Sequence, residues 1–429
     1  MGKQWGRQMK RGLGMVMASL LVFGLAACSS DNQNESANGA SNQQANGKEA
    51  VEIEFFQQKR EAVETFDQLI SAFNTDNKEV NMKQNNVPDS SKVLITRMAS
   101  NDMPPVFTDW PLKAEFKARV SSGMVMELTG DPMLDNVKPE ILEMLKMDGK
   151  VYAMPVALNT VGVFYNVDMF EEHGLAIPQT YDELIQIAQS LQDKGITPFV
   201  FPDKDAWTIG FEAQAQYGLT LPDNGDVIVK AISGEQHLNE LAELERVAEK
   251  MLEMRTYSTG DSLGTSYDDA TREFATGNAA MFFQGIWNIP SIQKANPSLQ
   301  FAMFPLPAEQ ADQTKVMINI DSAIAIAASA EDPDAAKQFV SYMSEPEHAQ
   351  IYSSLDKSPS AIKDVQTDVK EYELLSKKMD AGESYIFPNT KWLPGMDDQH
   401  RKAVQNLIAS EDPQMFMDEM DSIFFDKQE

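Results

Sequence analysis

From Val51 onward the chain alternates short strand-like runs with longer helical ones, and this alternation restricts it to a small set of layered α/β folds. Val51-Glu-Ile-Glu-Phe-Phe56 has the period-two spacing of an opening strand. Val63, Phe66, Ile70 and Phe73 then recur at helical spacing. Val80–Lys83 and Val106–Phe107 read as further strands, with a helix over Lys92–Ala99 between them. Thr180 and Glu183 form a capping box, Leu184, Ile187, Ala188 and Leu191 supply a buried stripe, and Gly195 ends that helix. Asp332-Pro333 opens another, with Ala336, Phe339, Val340 and Met343 facing inward. The pattern predicts mostly parallel sheets, giving way to a purely helical tail from about Asp364. Roughly 380 residues exceed what one core usually holds, so two lobes are expected.

The first 28 residues constrain location. Lys3, Arg7, Lys10 and Arg11 form a positive leader, Leu13–Leu25 is apolar, and the segment closes on Leu25-Ala-Ala-Cys28. A charged leader, a short apolar run and small residues at its end make an export signal, too short to span a bilayer as a helix. Leu-Ala-Ala-Cys resembles a lipobox, which implies a cut before Cys28 and a diacylated thiol. Residues 1–27 are therefore read as signal peptide and 28–49 as lipidated cysteine plus disordered tether. Residues 29–49 are mostly Ser, Asn, Gln, Ala and Gly with no large apolar side chain, and cannot offset their chain entropy by burial. As a flexible coil they span about 25 Å. Cys28 is the only cysteine, so no disulfide framework exists.

The formal net charge is −29, and losing the leader's basic residues makes the mature chain more acidic still. Such a surface repels nucleic acids and anionic lipid heads. No nucleic-acid partner is expected. No apolar run after residue 28 is long enough to cross a bilayer.

Four stretches carry a family resemblance. They are Phe66-Asp-Gln-Leu-Ile-Ser-Ala-Phe73; Asp148-Gly-Lys-Val-Tyr-Ala-Met-Pro155 with Phe164-Tyr-Asn-Val-Asp-Met-Phe170, Gly174 and Pro178-Gln-Thr-Tyr-Asp-Glu-Leu184; Phe274 through Gly285-Ile-Trp287; and Phe304-Pro-Leu-Pro307 with Ile324–Ala327 and Ala335–Phe339. In that order they resemble the solute-binding proteins of ABC importers, in the group containing the maltose-binding protein. The resemblance implies a two-lobed periplasmic-binding-protein fold, type II-like, closing on its ligand like a hinge. Crossings are expected near Val156–Asn159, Ile318–Asp321 and Ser360–Asp364. One lobe would hold 50–157 plus 321–362, and the other 158–320 plus 363–429. The implied partners are a carbohydrate ligand and ABC permease subunits. The protein is expected as a lipid-anchored monomer on the outer face of a cell membrane, in a Gram-positive cell, with no cofactor.

Sugars present polar edges and apolar C–H faces, so their sites pair flat aromatic rings with planar hydrogen-bonding groups. Trp287 closes the Gly-x-Trp element that brings an aromatic to the sugar in many relatives, and is expected to serve affinity more than the core. Trp110, in Thr-Asp-Trp-Pro, sits at a strand's carboxyl end, where α/β sheets place ligands. Trp207 occupies the loop after Pro198–Phe201, and Trp392 a Pro-rich turn in the tail. Polar candidates are Gln57 and Lys59 after the first strand, Asp109, Asn159 at the first crossing and Asp321 at the second. Position 159 carries Asn where maltose-binding proteins carry an acid, and the 57–60 and 109–112 loops differ too, which points away from maltose itself.

Enzyme signatures are missing: the sequence has no Gly-x-Ser-x-Gly, phosphate loop or His-Glu-x-x-His. His173, His237, His348 and His400 lack metal-ligand spacing. Asp223-Asn-Gly-Asp226 reads as a turn, since it lacks the downstream acid of a calcium loop. Two alternatives to carbohydrate import stay open, a non-sugar solute such as a polyamine and a ligand sensor for a membrane receptor. A secreted polysaccharide-processing enzyme is a third, more distant reading.

Overall fold

The computed structural model describes residues 50–258 and 260–425. Cys28, its leader and its tether lie outside the described residues. In chain order the strands are β1 (Val51–Phe56), β2 (Val80–Asn85), β3 (Val106–Asp109), β4 (Met154–Pro155), β5 (Leu158–Asn166) and β6 (Phe199–Val200). They continue with β7 (Met281–Gly285), β8 (Phe301–Phe304), β9 (Val316–Ile320), β10 (Ala323–Ile326) and β11 (Ser384–Ile386). No helix among the described residues is long and apolar enough to cross a membrane.

Two sheets form the centres of two lobes. The first runs β2-β1-β3-β10-β4, and the second β11-β9-β5-β7-β6 with β8 on β5. Both are mixed, which corrects the expectation of mostly parallel sheets. β1 is parallel to β2 and β3, but β10 is antiparallel to β3 and β4. β5 is antiparallel to β7, β8 and β9. The cause is the crossing chain: β4 runs into β5 and β9 into β10 with two residues between each pair, so each crossing continues in one direction from sheet to sheet. The tail is not purely helical either. β11 joins the second sheet parallel to β9, and Tyr385 on it turns inward to donate its hydroxyl to the Ala215 carbonyl at 3.0 Å.

The local signals formed as expected where the caps are strong. The helix Val63–Asp76 buries Phe66, Leu69, Ile70 and Phe73. Phe55, Phe66, Phe339 and Tyr352 meet ring to ring at 4.9–5.3 Å in the first core. Thr180 caps the helix Tyr181–Gln192 through the Glu183 amide, and Gly195 takes φ +74° after it. Asp332 caps the helix Pro333–Ser344 through the Ala335 amide at 3.0 Å. Asp223 and Asn224 both adopt positive φ in a tight turn whose carboxylates meet Lys230 and Lys391.

Three backbone segments hydrogen-bond to one another between the sheets. Asp321 N donates to Ala157 O at 2.9 Å, Leu158 N to Pro359 O at 2.7 Å and Ala361 N to Val156 O at 3.1 Å. This knot is the hinge between the lobes.

Candidate functional site

β6 and β7 are parallel neighbours, so their carboxyl ends open at one edge of the second sheet. The helix Ala206–Thr220 starts just past β6 and carries Trp207 and Phe211 one turn apart, hence on one face. Trp287 sits in the turn Ile286–Asn288 that follows β7. Their rings meet: Trp207 lies 6.3 Å from Trp287, and Phe211 lies 5.4 Å from Trp287 and 5.3 Å from Phe387. Tyr267 backs Trp207 at 4.9 Å. The Trp287 indole rests flat on Gly285, where a Cβ would stand only 2.1 Å from the ring. The Gly-x-Trp spacing therefore has a steric cause. Trp287 is only 6% exposed, so it belongs to the lobe's core as well as to this aromatic wall.

The first lobe contributes the other side. Asp109 ends β3, and its carboxylate accepts from the Trp110 amide at 2.8 Å and from Arg119 Nη1 at 2.7 Å. Burial pushes the Asp109 pKa up, against the opposing charge of Arg119. Trp110 is half-buried, and the Lys113 ammonium stands 5.3 Å over its ring. The same ammonium pairs with Asp397 of the second lobe at 3.4 Å. Gln57 is fully buried; its Oε1 accepts from the Lys59 amide, while its Nε2 has no protein partner.

The tail supplies polar groups that sequence reasoning missed. Asp397 accepts from Arg401 Nη2 at 2.5 Å, one helical turn on. Burial would raise the Asp397 pKa, but Arg401 and Lys113 override it and hold the carboxyl down at about 2. Asp397 is thus an anion at any physiological pH. Arg401 in turn packs on Gly210, one turn beyond Trp207. Asn389 lies beside Asp397 and favours its ionised form, while Arg401 Nε has no partner among the described residues. Buried polar atoms are normally satisfied. Planar polar groups near three flat rings suit a ligand rich in hydroxyls.

Four expected site residues have close protein partners of their own. Lys59 Nζ donates to Asp321 Oδ2 at 2.7 Å and to both Asp356 carboxylate oxygens at 2.9 Å, which uses all its protons. Asn159 Nδ2 donates to Asp321 Oδ1 at 3.3 Å. Lys59, Asn159 and Asp321 therefore form a buried cluster at the hinge, in which Asn159 Oδ1 keeps no partner among the described residues. Trp392 is 3% exposed and packs edge-on against His400 and Phe424, each at 4.8 Å, in the helical core of the second lobe. Two open depressions, of about 260 and 440 Å³, lie on the second lobe's surface, and no aromatic ring lines either. They offer nothing for a sugar face to stack on.

Residues 68–377 match the model of a bacterial extracellular solute-binding protein family. The chain belongs to that family. This solute-binding protein is similar to the "Multiple sugar-binding protein" of Streptococcus mutans, 26% identical over 93% of this chain and 94% of the relative. It is 23% identical to the "Melibiose/raffinose/stachyose-binding protein MelE" of Bacillus subtilis over 71% and 72% of the two chains. Among solved structures it superposes on RafE in complex with raffinose with a TM-score of 0.81 at 27% identity, covering 87% of this chain and 99% of that one. For the apo form of RafE from Streptococcus pneumoniae the TM-score is 0.72. Like its family, the solute-binding protein is a binding protein and not an enzyme, and it works outside the cytoplasm.

Proposed function

We propose that this solute-binding protein captures an oligosaccharide between its lobes and delivers it to an ABC importer. The observation that carries this reading is the wall of Trp207, Phe211 and Trp287, flanked by Asn389, Asp397 and Arg401 and linked through Lys113 to Trp110 on the facing lobe. Rings take the C–H faces, and the planar polar groups take the hydroxyl edges. The ligand contacts in this reading are Trp287, Trp207, Trp110, Asp109 and Gln57 together with Asn389, Asp397 and Arg401. The names of the relatives and the raffinose-bound neighbour support the carbohydrate class. A polyamine reading draws no support, because Asp109 and Asp321 are neutralised by Arg119 and Lys59. Sheet membership supports lobes of 50–157 plus 321–362 and 158–320 plus 363–429 as far as the strands go, with Val365 still packing on the first core.

A thermal-shift screen against raffinose, stachyose, maltotriose, xylotriose and spermidine tests the reading. A ligand at 100 times its Kd adds about 2.7 kcal/mol to the folded state. An upward shift with at least one oligosaccharide and none with spermidine is expected. A shift with spermidine alone would overturn it.

The same proposal includes a monomer held by a lipid on Cys28 through the 29–49 tether, at the outer face of a Gram-positive membrane. The Leu-Ala-Ala-Cys sequence supports the anchor. Cys28→Ser is expected to move the protein from the membrane fraction to the soluble one. Retention on the membrane after a high-salt wash would count against it.

A further inference from the structure

Among the contacts that join the lobes in the described residues, two strips stand out. Along one, Lys113 pairs with Asp397, the Gly395 amide donates to Glu115 at 3.2 Å, and Lys117 donates to the Thr390 carbonyl at 2.8 Å. These contacts flank Trp110 and touch the polar groups already assigned to the ligand. The other strip touches none of those polar groups. There the first-lobe turn Arg60–Ala62 and the helix after it meet the second-lobe helices Tyr267–Ala275 and Ile289–Ala295. Arg60 donates to both carboxylate oxygens of Asp268, at 3.3 and 3.1 Å, and its guanidinium stacks 4.6 Å over the Tyr267 ring. Glu64 pairs with Lys294 at 2.5 Å on the same rim.

An exposed ion pair alone contributes little, and Arg60 and Asp268 are both well exposed. What distinguishes this one is its second partner. Tyr267 is 2% exposed, holds Asn288 by a hydroxyl hydrogen bond of 2.9 Å, and packs its ring against Trp207 at 4.9 Å. The Glu61 carboxylate, beside Arg60, also faces the Tyr267 hydroxyl. A planar guanidinium fits both a carboxylate fork and an aromatic face at once, which an ammonium does not.

We propose that Arg60 is a closure latch, gripping Asp268 and the Tyr267 ring across the rim and, through Tyr267, positioning Trp207 for the ligand. It touches no ligand itself. Opening the lobes breaks the grip, so the latch adds its energy only to the closed state and slows ligand release. The effect on affinity rests on the carbohydrate reading, but the effect on closure does not.

The test uses the full chain with Cys28→Ser, spin-labelled at Thr96→Cys and Gln186→Cys, exposed positions on opposite lobes. With Cys28 replaced, no native thiol competes for the label. Arg60→Met keeps the stem and removes the charge. The expected results are a closed-distance population reduced about threefold to tenfold without ligand and a raffinose Kd raised by a similar factor. The native chain should lose more affinity with added salt than the variant, which keeps the Lys113–Asp397 and Glu64–Lys294 pairs, and both should melt together. Asp268→Asn added to Arg60→Met should cost little more. An unchanged distance distribution together with an unchanged raffinose Kd would overturn the latch. If raffinose does not bind the native chain but Arg60→Met still shifts the ligand-free distances, the latch stands and the carbohydrate reading loses its support.

Discussion

Trp287→Ala is expected to weaken oligosaccharide binding by roughly 30- to 150-fold, the loss of about 2–3 kcal/mol of aromatic contact. The indole occupies the centre of the wall, between Phe211 and Trp207, and its plane is fixed by Gly285 beneath it. Read from sequence alone, this residue serves affinity more than the core. Its 6% exposure changes that expectation. Removing a buried Trp leaves a cavity, so a stability loss of about 3–5 kcal/mol should accompany the loss of binding. Trp287→Phe separates the two effects, since a smaller ring can still face Phe211. Calorimetric titration and thermal melting of both variants read affinity and stability independently. Full affinity in Trp287→Ala, alongside a large drop in melting temperature, would make Trp287 a core residue only.

Lys59→Met should destabilise the fold by about 3–5 kcal/mol, because it leaves two buried carboxylates without their cation. Asp321 and Asp356 are 4% and 2% exposed, and Lys59 bonds both. Burial alone would pull the Lys59 pKa down, but the two carboxylates outweigh it and hold the ammonium well above its ordinary range. A lysine with a raised folded pKa stabilises fully below its unfolded pKa of about 10.4, and loses that contribution only as pH rises through the folded value. The contribution is therefore constant across neutral pH. Urea titration is the measurement, and a shift below about 1 kcal/mol would contradict the clamp. The variant Lys59→Met with Asp321→Asn and Asp356→Asn should recover most of the loss, since a neutral cluster has no stranded charge. Because Lys59 has no proton left for a ligand, affinity measured where the single variant is folded should change less than about threefold, or about 0.65 kcal/mol.

What was legible in the sequence followed local chemistry. Helix starts at Thr180 and Asp332 were readable because a capping side chain sits three residues before the amide it accepts from. Even there the capping box is incomplete, since Glu183 accepts from the Gln179 amide at 2.6 Å instead of that of Thr180. Trp207 and Trp287 stood out because each follows a strand at one sheet edge, and the structure brings their rings together. The hinge cluster was not. Lys59 meets partners 262 and 297 residues away, and nothing in the local sequence separates a buried clamp from a cleft lysine. Trp392 looked the same either way: a Trp in a Pro-rich turn can face a cleft or a helical core, and here His400 and Phe424 claim it. Asp397 and Arg401 carried a signal that was available, an acid and a base one turn apart. That spacing usually marks a solvated helix pair, and only the contact with Lys113 of the other lobe sets this one apart.

The most direct measurement is the structure of this chain with raffinose or the strongest oligosaccharide of the thermal screen. The account predicts a sugar ring stacked on Trp287 or Trp207, with Trp110 over its far side and hydroxyls paired to Asp397, Asn389 and Gln57. A ligand bound outside the cleft, or one that leaves those polar atoms unpaired and the tryptophans untouched, would contradict it.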